Sequence, residues 1–204
     1  ITDLTICRYA TFECEHIILR IKEYIEQGIP YDQIAILGRS SRRLKEIETQ
    51  FEKEKLPYVS LFGDRFSADE KKRIQKDRLV ISTIHSAKGL EWRIVFVVGL
   101  RDQEFPSQMN NGIVNVEEER RLFYVAITRA KTHLHFVTSM NDIPLSRFLF
   151  DIKQYLDLNT LDHNKKLLCN VTENQILETM RVRIVKAEDE IIFASDGDIK
   201  ECFK

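Results

Sequence analysis

The sequence predicts an α/β fold in which a parallel sheet is covered by helices on both faces. Short, almost wholly apolar runs recur along the chain, such as QIAILG at 33–38 and RIVFVVG at 93–99. Runs of this kind are typical of strands that are buried on both faces. Longer segments with helical periodicity lie between them, and strands that alternate with helices build parallel sheets.

The elements predicted up to residue 138 follow the order β-α-β-α-β-(α)-β-β-α-β, where the bracketed helix is short and solvated. The strands are predicted at 4–9, 33–38, 57–61, 78–83, 93–99 and 132–138. The helices are predicted at 11–27, 41–54, 69–76, 116–130 and 145–156, from apolar side chains at helical spacing. Gly28 is placed to end the first helix and Ser40 to cap the second. A hairpin or a helix–strand pair is predicted over 181–194.

Composition sets broad limits on the class of protein. A chain of 204 residues suits one domain with a small appendage. The net charge of −1 gives no general sign of a nucleic-acid partner, so any such surface must be local. The four cysteines lack metal-ligand spacing, which predicts reduced thiols in the cytoplasm and no metal site. No apolar run approaches about 18 residues, the length that spans a membrane. The chain begins at Ile1, and we expect it to be part of a longer protein.

Residues 81–92, ISTIHSAKGLEW, bring a dense group of polar residues directly after a predicted strand. In doubly wound sheets, ligands bind beyond the carboxyl ends of the strands. Hydroxyls, backbone amides and a glycine at such a place can approach a phosphate closely. Any one of these residues, taken alone, is best interpreted as a solvated residue of a turn. The occurrence of all of them in one segment favours a binding loop. Its polar members are Ser82, Thr83, His85, Ser86, Lys88, Gly89 and Glu91.

Residues 117–131, EEERRLFYVAITRAK, form the second notable segment. On a helix, one face would carry three apolar side chains and one cation, namely Leu122, Val125, Ala126 and Arg129. A buried guanidinium needs an anion, which is ordinarily a local carboxylate such as Glu118 or Glu119, and a bound phosphate is the functional alternative. The glutamates at 117–119 are predicted to be charges that suit a helix N-terminus rather than metal ligands.

These two segments resemble motifs V and VI of the UvrD/Rep-type superfamily 1 DNA helicases. HSAKGLEW is similar to motif V, and EEERRLFYVAITRAK matches the motif VI pattern EERRLxYVxxTRA. Phe105-Pro106 between them also matches, as does the upstream segment that begins IAILGRSSRRL. The resemblance covers residues 1–150 and implies the second RecA-like domain of such a helicase. Residues 151–204 are then a C-terminal extension of unknown role.

The resemblance also implies roles for individual residues. Arg129 would be the arginine finger, a catalytic and nucleotide-binding residue. Glu91 would lie near the nucleotide as well. The implied contacts to single-stranded DNA are Thr83, His85, Ser86 and Lys88, and the residues that couple the two sites are Lys88 and Gly89. Arg39 is either structural or faces DNA.

Other functional parts of the family are not found in this sequence. It contains no GxxxxGK[ST] phosphate loop, so ATP and Mg²⁺ would be held mainly by an N-terminal RecA-like domain of the same protein, and this chain alone should not hydrolyse ATP. Only residues 67–78 separate Phe66 from the motif V strand, where close kin carry a large helical subdomain. The chain is therefore expected to be a compact relative.

The favoured function is an ATP-dependent helicase or translocase that acts on single-stranded DNA, in a cytoplasmic, bacterial or phage-like setting that includes DNA repair. One alternative is a HelD-like motor that remodels transcription or other protein–nucleic-acid complexes without unwinding, with RNA polymerase or a repair complex as its partner. A second alternative is a degenerate RecA-like module that only binds partners. Retention of His85, Lys88, Glu91 and Arg129 argues against this second alternative.

Overall fold

A computed structural model describes residues 2–7, 10–62, 67, 69–70, 73, 76–107, 115–139, 145–152, 157–161 and 167–171. The strands are β1 (Thr2–Cys7), β2 (Ile34–Gly38), β3 (Tyr58–Leu61), β4 (Leu79–Thr83), β5 (Trp92–Val98), β6 (Ala130–Ser139), β7 (Asp157–Leu161) and β8 (Leu167–Val171). The α-helices are α1 (Ala10–Glu26), α2 (Ser41–Lys53), α3 (Val116–Ile127) and α4 (Arg147–Asp151). A single 3₁₀ turn, Tyr31–Gln33, precedes β2.

The eight strands form one sheet in the order β3-β4-β2-β5-β6-β1-β7-β8. Every neighbouring pair is parallel except β7 and β8. This confirms the predicted α/β fold and, apart from the bracketed helix, the predicted order of strands and helices to residue 138. Strands β7 and β8 extend the same sheet past β1, so the sheet continues beyond residue 150, where the sequence predicted that the RecA-like part would end.

Both faces of the sheet are buried across β1 to β6, because side chains of these strands enter two separate cores. Ala35 and Leu37 of β2 belong to the core that contains α3 and α4. Ile34 and Ile36 belong to the core that contains α1 and α2. A strand that is apolar at every position can only be buried when both of its faces are covered. The continuous apolar runs in the sequence are explained by this arrangement.

Several predicted details differ in the structure. Gly28 ends α1 as expected, with a φ of 81° that favours glycine. Ser40 precedes α2, but its side chain makes no capping hydrogen bond. Of the helix predicted over 145–156, the structure shows α4 at Arg147–Asp151, and residues 153–156 lie outside the described residues. The predictions for 181–194 and for most of 69–76 lie outside the described residues.

Two buried polar clusters tie the helices of one face to the sheet. Glu13 of α1, which is 1% exposed, forms an ion pair with Arg43 of α2. His135 of β6 has its Nδ1 2.6 Å from Asp3 Oδ1 and its Nε2 2.7 Å from the Tyr24 hydroxyl. His135 is therefore structural, because buried polar atoms need partners of this kind.

The half-buried His16 predicts acid sensitivity of this chain. Burial, with help from the positive charge of Arg20, lowers the pKa of His16 from 6.5 to about 4. The unfolded chain therefore binds a proton more tightly than the folded chain between these values, so stability falls as the pH drops from 6.5 to about 4. Urea unfolding at several pH values in this window measures the slope, and His16→Asn should make it shallower. His85→Asn, at an exposed histidine, is the matched control, and an equal slope in all three proteins would contradict the prediction.

Candidate functional site

The loop of residues 84–91 leaves the carboxyl end of β4 in a tightly hydrogen-bonded turn. The Ile84 amide donates to the carbonyl of Gly38 over 3.0 Å, which fastens the loop to the end of β2. Thr83 closes the turn, because its carbonyl accepts from the Ala87 amide and its hydroxyl contacts the Ser86 hydroxyl at 2.9 Å. Ser86 is only 1% exposed. In this conformation the Ser86 side chain shapes the loop and does not face a ligand outside it.

In the same loop, every third residue enters the core beside α3, namely Ile84, Ala87 and Leu90. His85, Lys88 and Glu91 recur at the same spacing and form an exposed row along the outside. Gly89 is also exposed, whereas Ser86 is buried. Hydrogen bonds from an amide to the carbonyl three residues earlier support this period, at Lys88 to His85 and at Leu90 to Ala87. The spacing HxxKxxE is visible in the sequence, but its meaning depends on a local turn that the motif alone does not reveal.

This row connects the two edges of the sheet. Strands β4 and β5 are both parallel to β2, which lies between them, so the loop must cross over β2 from the carboxyl edge to the amino edge. The seven residues of β5 place those edges roughly 20 Å apart at about 3.3 Å per residue. Thr83 and His85 therefore lie at the carboxyl edge, whereas Glu91 lies at the amino edge. The expectation that the whole motif lies beyond the carboxyl ends of the strands was wrong for Glu91.

Helix α3 runs beside the loop in the same direction. It begins at the carboxyl edge, where Asn115 caps it by accepting from the Glu118 amide at 3.2 Å, and it ends before β6 at the amino edge. Its fully buried residues are Glu119, Phe123 and Ala126. Of the predicted face, Ala126 is buried, and Leu122 and Val125 pack against the same core. Leu122 and Val125 are only partly buried, and Arg129 lies beyond the end of the helix, in the turn that leads to β6.

Arg129 connects the end of α3 to the end of the loop. Its guanidinium donates to the carbonyl of Leu90 at 3.0 Å, to the carbonyl of Val125 at 3.0 Å and to the hydroxyl of Thr128 at 2.9 Å. All three acceptors are neutral oxygens. Among the described residues, no carboxylate lies within ion-pair distance of Arg129. The ordinary alternative, in which Glu118 or Glu119 pairs with Arg129, is therefore not observed. A half-buried cation is thus held in place while its charge is left uncompensated.

Two further contacts join the loop and the start of β6 at the amino edge. The Trp92 amide donates to the carbonyl of Arg129 at 2.9 Å. Lys131 Nζ lies 3.8 Å from Glu91 Oε2, and both side chains are 54% exposed. Such an exposed pair contributes little to stability. Trp92 itself is buried in the core, as predicted. These contacts define an amino-edge cluster of Glu91, Arg129 and Lys131. The Arg129 side chain is firmly positioned in it, whereas the other two side chains are free to rearrange.

At the carboxyl edge, Arg39 and Glu119 form a buried ion pair that the sequence did not predict. Arg39 follows β2 directly, and its Nε and Nη2 donate to the Glu119 carboxylate over 2.7 to 3.0 Å. The Ser107 amide donates to the same carboxylate at 2.9 Å. Burial by itself would raise the pKa of Glu119, but these hydrogen bonds and the positive charge of Arg39 lower it below the usual value. Glu119 is therefore a charged anchor rather than a solvated helix-terminal acid.

The described residues contain no group of three or more histidine, cysteine, aspartate or glutamate side chains that could hold a metal ion. Cys7 and Cys14 are free and buried, and burial raises the pKa of their thiols to about 12 and about 11. They are thus protonated and unreactive at neutral pH. None of the described helices is both long and apolar enough to cross a membrane.

Comparison with known proteins identifies related sequences that centre on this site. Residues 65–141, which include β4, the 84–91 loop, α3 and Arg129, match the UvrD-like helicase C-terminal domain. Over 126 residues the chain is 38% identical to a probable DNA helicase of Mycoplasma pneumoniae, a match that covers 60% of this chain and 20% of that protein. It is also 38% identical over 121 residues to the ATP-dependent DNA helicase PcrA of Bacillus subtilis, covering 53% of this chain and 16% of that protein. The matches thus span about a fifth of these relatives or less.

Solved structures agree with the fold. The C-terminal domain of a possible DNA helicase from Lactobacillus plantarum WCFS1 superimposes with a TM-score of 0.57 at 16% identity, and the match covers 77% of this chain and 84% of that domain. At this identity the likeness concerns the fold alone. The observed parallel sheet with helices on both faces is the RecA-like architecture of that domain.

Proposed function

Because this chain carries a UvrD-like helicase C-terminal domain, we propose that it is the second RecA-like motor domain of an ATP-dependent superfamily 1 helicase or translocase. Relatives such as PcrA are named as ATP-dependent DNA helicases. The observation that carries the proposal is the pairing of the 84–91 loop with α3 and Arg129. This pairing presents one set of polar residues at each edge of the sheet.

Arg129 is the proposed arginine finger at the amino edge. Three hydrogen bonds to neutral oxygens fix its guanidinium, and a guanidinium has five N–H donors. Two donors and an uncompensated positive charge therefore remain for an anion. A nucleotide held mainly by an N-terminal RecA-like domain would supply that anion as its terminal phosphate, with Mg²⁺ neutralising part of the charge. The residues present fit one side of such a site, and Glu91 lies beside it.

At the carboxyl edge, we assign single-stranded DNA contacts to His85 and Lys88. Both side chains are exposed on the same row of the loop, and a cation or an imidazole donor there can bind backbone phosphates without reading sequence. Thr83 adds its backbone and a half-buried hydroxyl at the start of the row. Ser86 keeps only the role of shaping the turn. The row then leads to Glu91 within the same loop, so movement of one end of the loop displaces the other.

A motor that remodels protein–nucleic-acid complexes without unwinding remains a second candidate. The observation that favours it is the short connection of residues 67–78 before the strand of the first motif. We infer a cytoplasmic setting for either candidate, with single-stranded DNA as the common partner. Strand-separation assays and polymerase-release assays on the full-length protein distinguish the two, since a remodeller is active only in the second.

Substituting the proposed finger tests the catalytic role. In the full-length protein, Arg129→Ala should lower the DNA-stimulated ATPase rate about 10³-fold or more, because charge that develops on the phosphates is no longer stabilised. Nucleotide affinity, measured by equilibrium binding, should change little. Arg121→Ala removes an exposed arginine of the same helix and serves as the control. A near-normal rate in Arg129→Ala would reject the assignment.

A pair of glycine substitutions tests the coupling role of the loop. Gly89 and Gly28 have φ values of 83° and 81°, and an added Cβ at either would meet no atom within 4 Å. Alanine should therefore cost about 1–2 kcal/mol of backbone strain at both positions. Only Gly89→Ala distorts the loop between the two edges, so only it should lower DNA stimulation of the full-length ATPase. Equal loss of stimulation in both variants would show that the effect is global destabilisation.

A further inference from the structure

The Arg39–Glu119 ion pair is costly to build. Glu119 has only 7% of its side chain exposed and Arg39 only 19%. Removing two charges from water costs several kcal/mol, and only good geometry with additional hydrogen bonds compensates for it. The geometry here is good, because the guanidinium contacts both carboxylate oxygens and the Ser107 amide supplies one more donor. A pair of apolar side chains at these two positions would stabilise the fold equally well. Stability alone therefore does not explain why the two residues are charged.

The pair joins the elements that the proposed mechanism needs to keep together. Arg39 is the residue after Gly38, whose carbonyl holds the first amide of the 84–91 loop. Glu119 lies in the first turn of α3, and α3 leads directly to Arg129. His85 is the second residue of that loop and is exposed. One bidentate contact therefore connects the DNA-facing end of the loop to the start of the helix.

An apolar path continues from this contact to the other edge. Ala87 and Leu90 of the loop and Phe123 and Ala126 of α3 belong to the same buried cluster. Packed interiors of this kind shift as units rather than deforming continuously. A displacement of the loop at the carboxyl edge is thus transmitted to Arg129 only while the loop and the helix remain fastened at their starts.

We propose that Arg39 and Glu119 are positioning residues, and that their ion pair makes strand binding at the carboxyl edge raise the activity of Arg129 at the amino edge. The inference rests on the proposed function and adds a device that regulates the same site. Neither side chain needs to touch DNA or nucleotide. Loss of the pair should uncouple the two edges without abolishing either binding site.

A double-mutant cycle on the full-length protein tests this inference. The measured quantity is the ratio of ATPase rates with saturating single-stranded DNA and without DNA. Arg39→Met and Glu119→Gln should each lower that ratio about 10-fold, which is within the usual range of coupling between two sites. Glutamine keeps an acceptor for the Ser107 amide, so the substitution removes mainly the charge. The double variant should lose no more than either single variant, because both residues act through one contact. Arg39→Lys, which keeps the charge, should recover part of the ratio.

Arg147→Met is the matched control. Arg147 makes a bidentate pair with Asp102 at 2.9 and 3.2 Å, partly buried like the first, but it joins α4 to the segment that follows β5 and does not join the loop to α3. It should lower the unfolding midpoint while leaving the stimulation ratio unchanged. The positioning role would be overturned if the losses of DNA stimulation added up in the double variant, or if the ratio in Arg39→Met stayed within twofold of the wild-type ratio. Either result would leave the proposed function intact. A wild-type protein that DNA does not stimulate would overturn the proposed function and this inference together.

Discussion

The parallel pairing of β2 with both β4 and β5 is the constraint on which the rest of the site depends. Because all three strands point the same way, the chain between β4 and β5 must cross the full height of the sheet. It does so in the eight residues 84–91, on the face that also carries α3. A segment this short has no room for a regular helix of ordinary length. It is instead a tight turn with every third residue buried, and the exposed row of His85, Lys88 and Glu91 is a direct consequence.

The two ends of that row have different environments. At the carboxyl edge, the charge of Glu119 is compensated within the protein, since the Arg39 guanidinium and the Ser107 amide donate to its carboxylate. At the amino edge, Arg129 is held by carbonyl and hydroxyl oxygens that carry no net charge. An arginine that is positioned but electrically uncompensated suits an anion from outside the domain. The proposed division into a DNA-facing edge and a nucleotide-facing edge rests on this asymmetry.

Elsewhere in the described part of the domain, two buried polar clusters fasten elements to one another. His135 bridges Asp3 and Tyr24, which joins β6 to β1 and α1. Glu13 and Arg43 join α1 to α2. These clusters lie on the opposite face of the sheet from the 84–91 loop. One face of the sheet therefore provides a rigid support, and the other carries the loop, α3 and the residues assigned to binding and hydrolysis.

The sequence by itself determined the α/β class, the order of elements to residue 138 and the segments that carry function. It could do so because strand burial and helical periodicity are local patterns, and the spacing within each motif is local as well. Only the tertiary structure decided that Glu91 lies at the opposite edge from Thr83, that Glu119 pairs with Arg39 and that none of the described carboxylates pairs with Arg129. Arg39 and Glu119 are 80 residues apart, and no local pattern connects side chains at that separation. Their meeting depends on which strands are neighbours and on the direction in which each crosses the sheet.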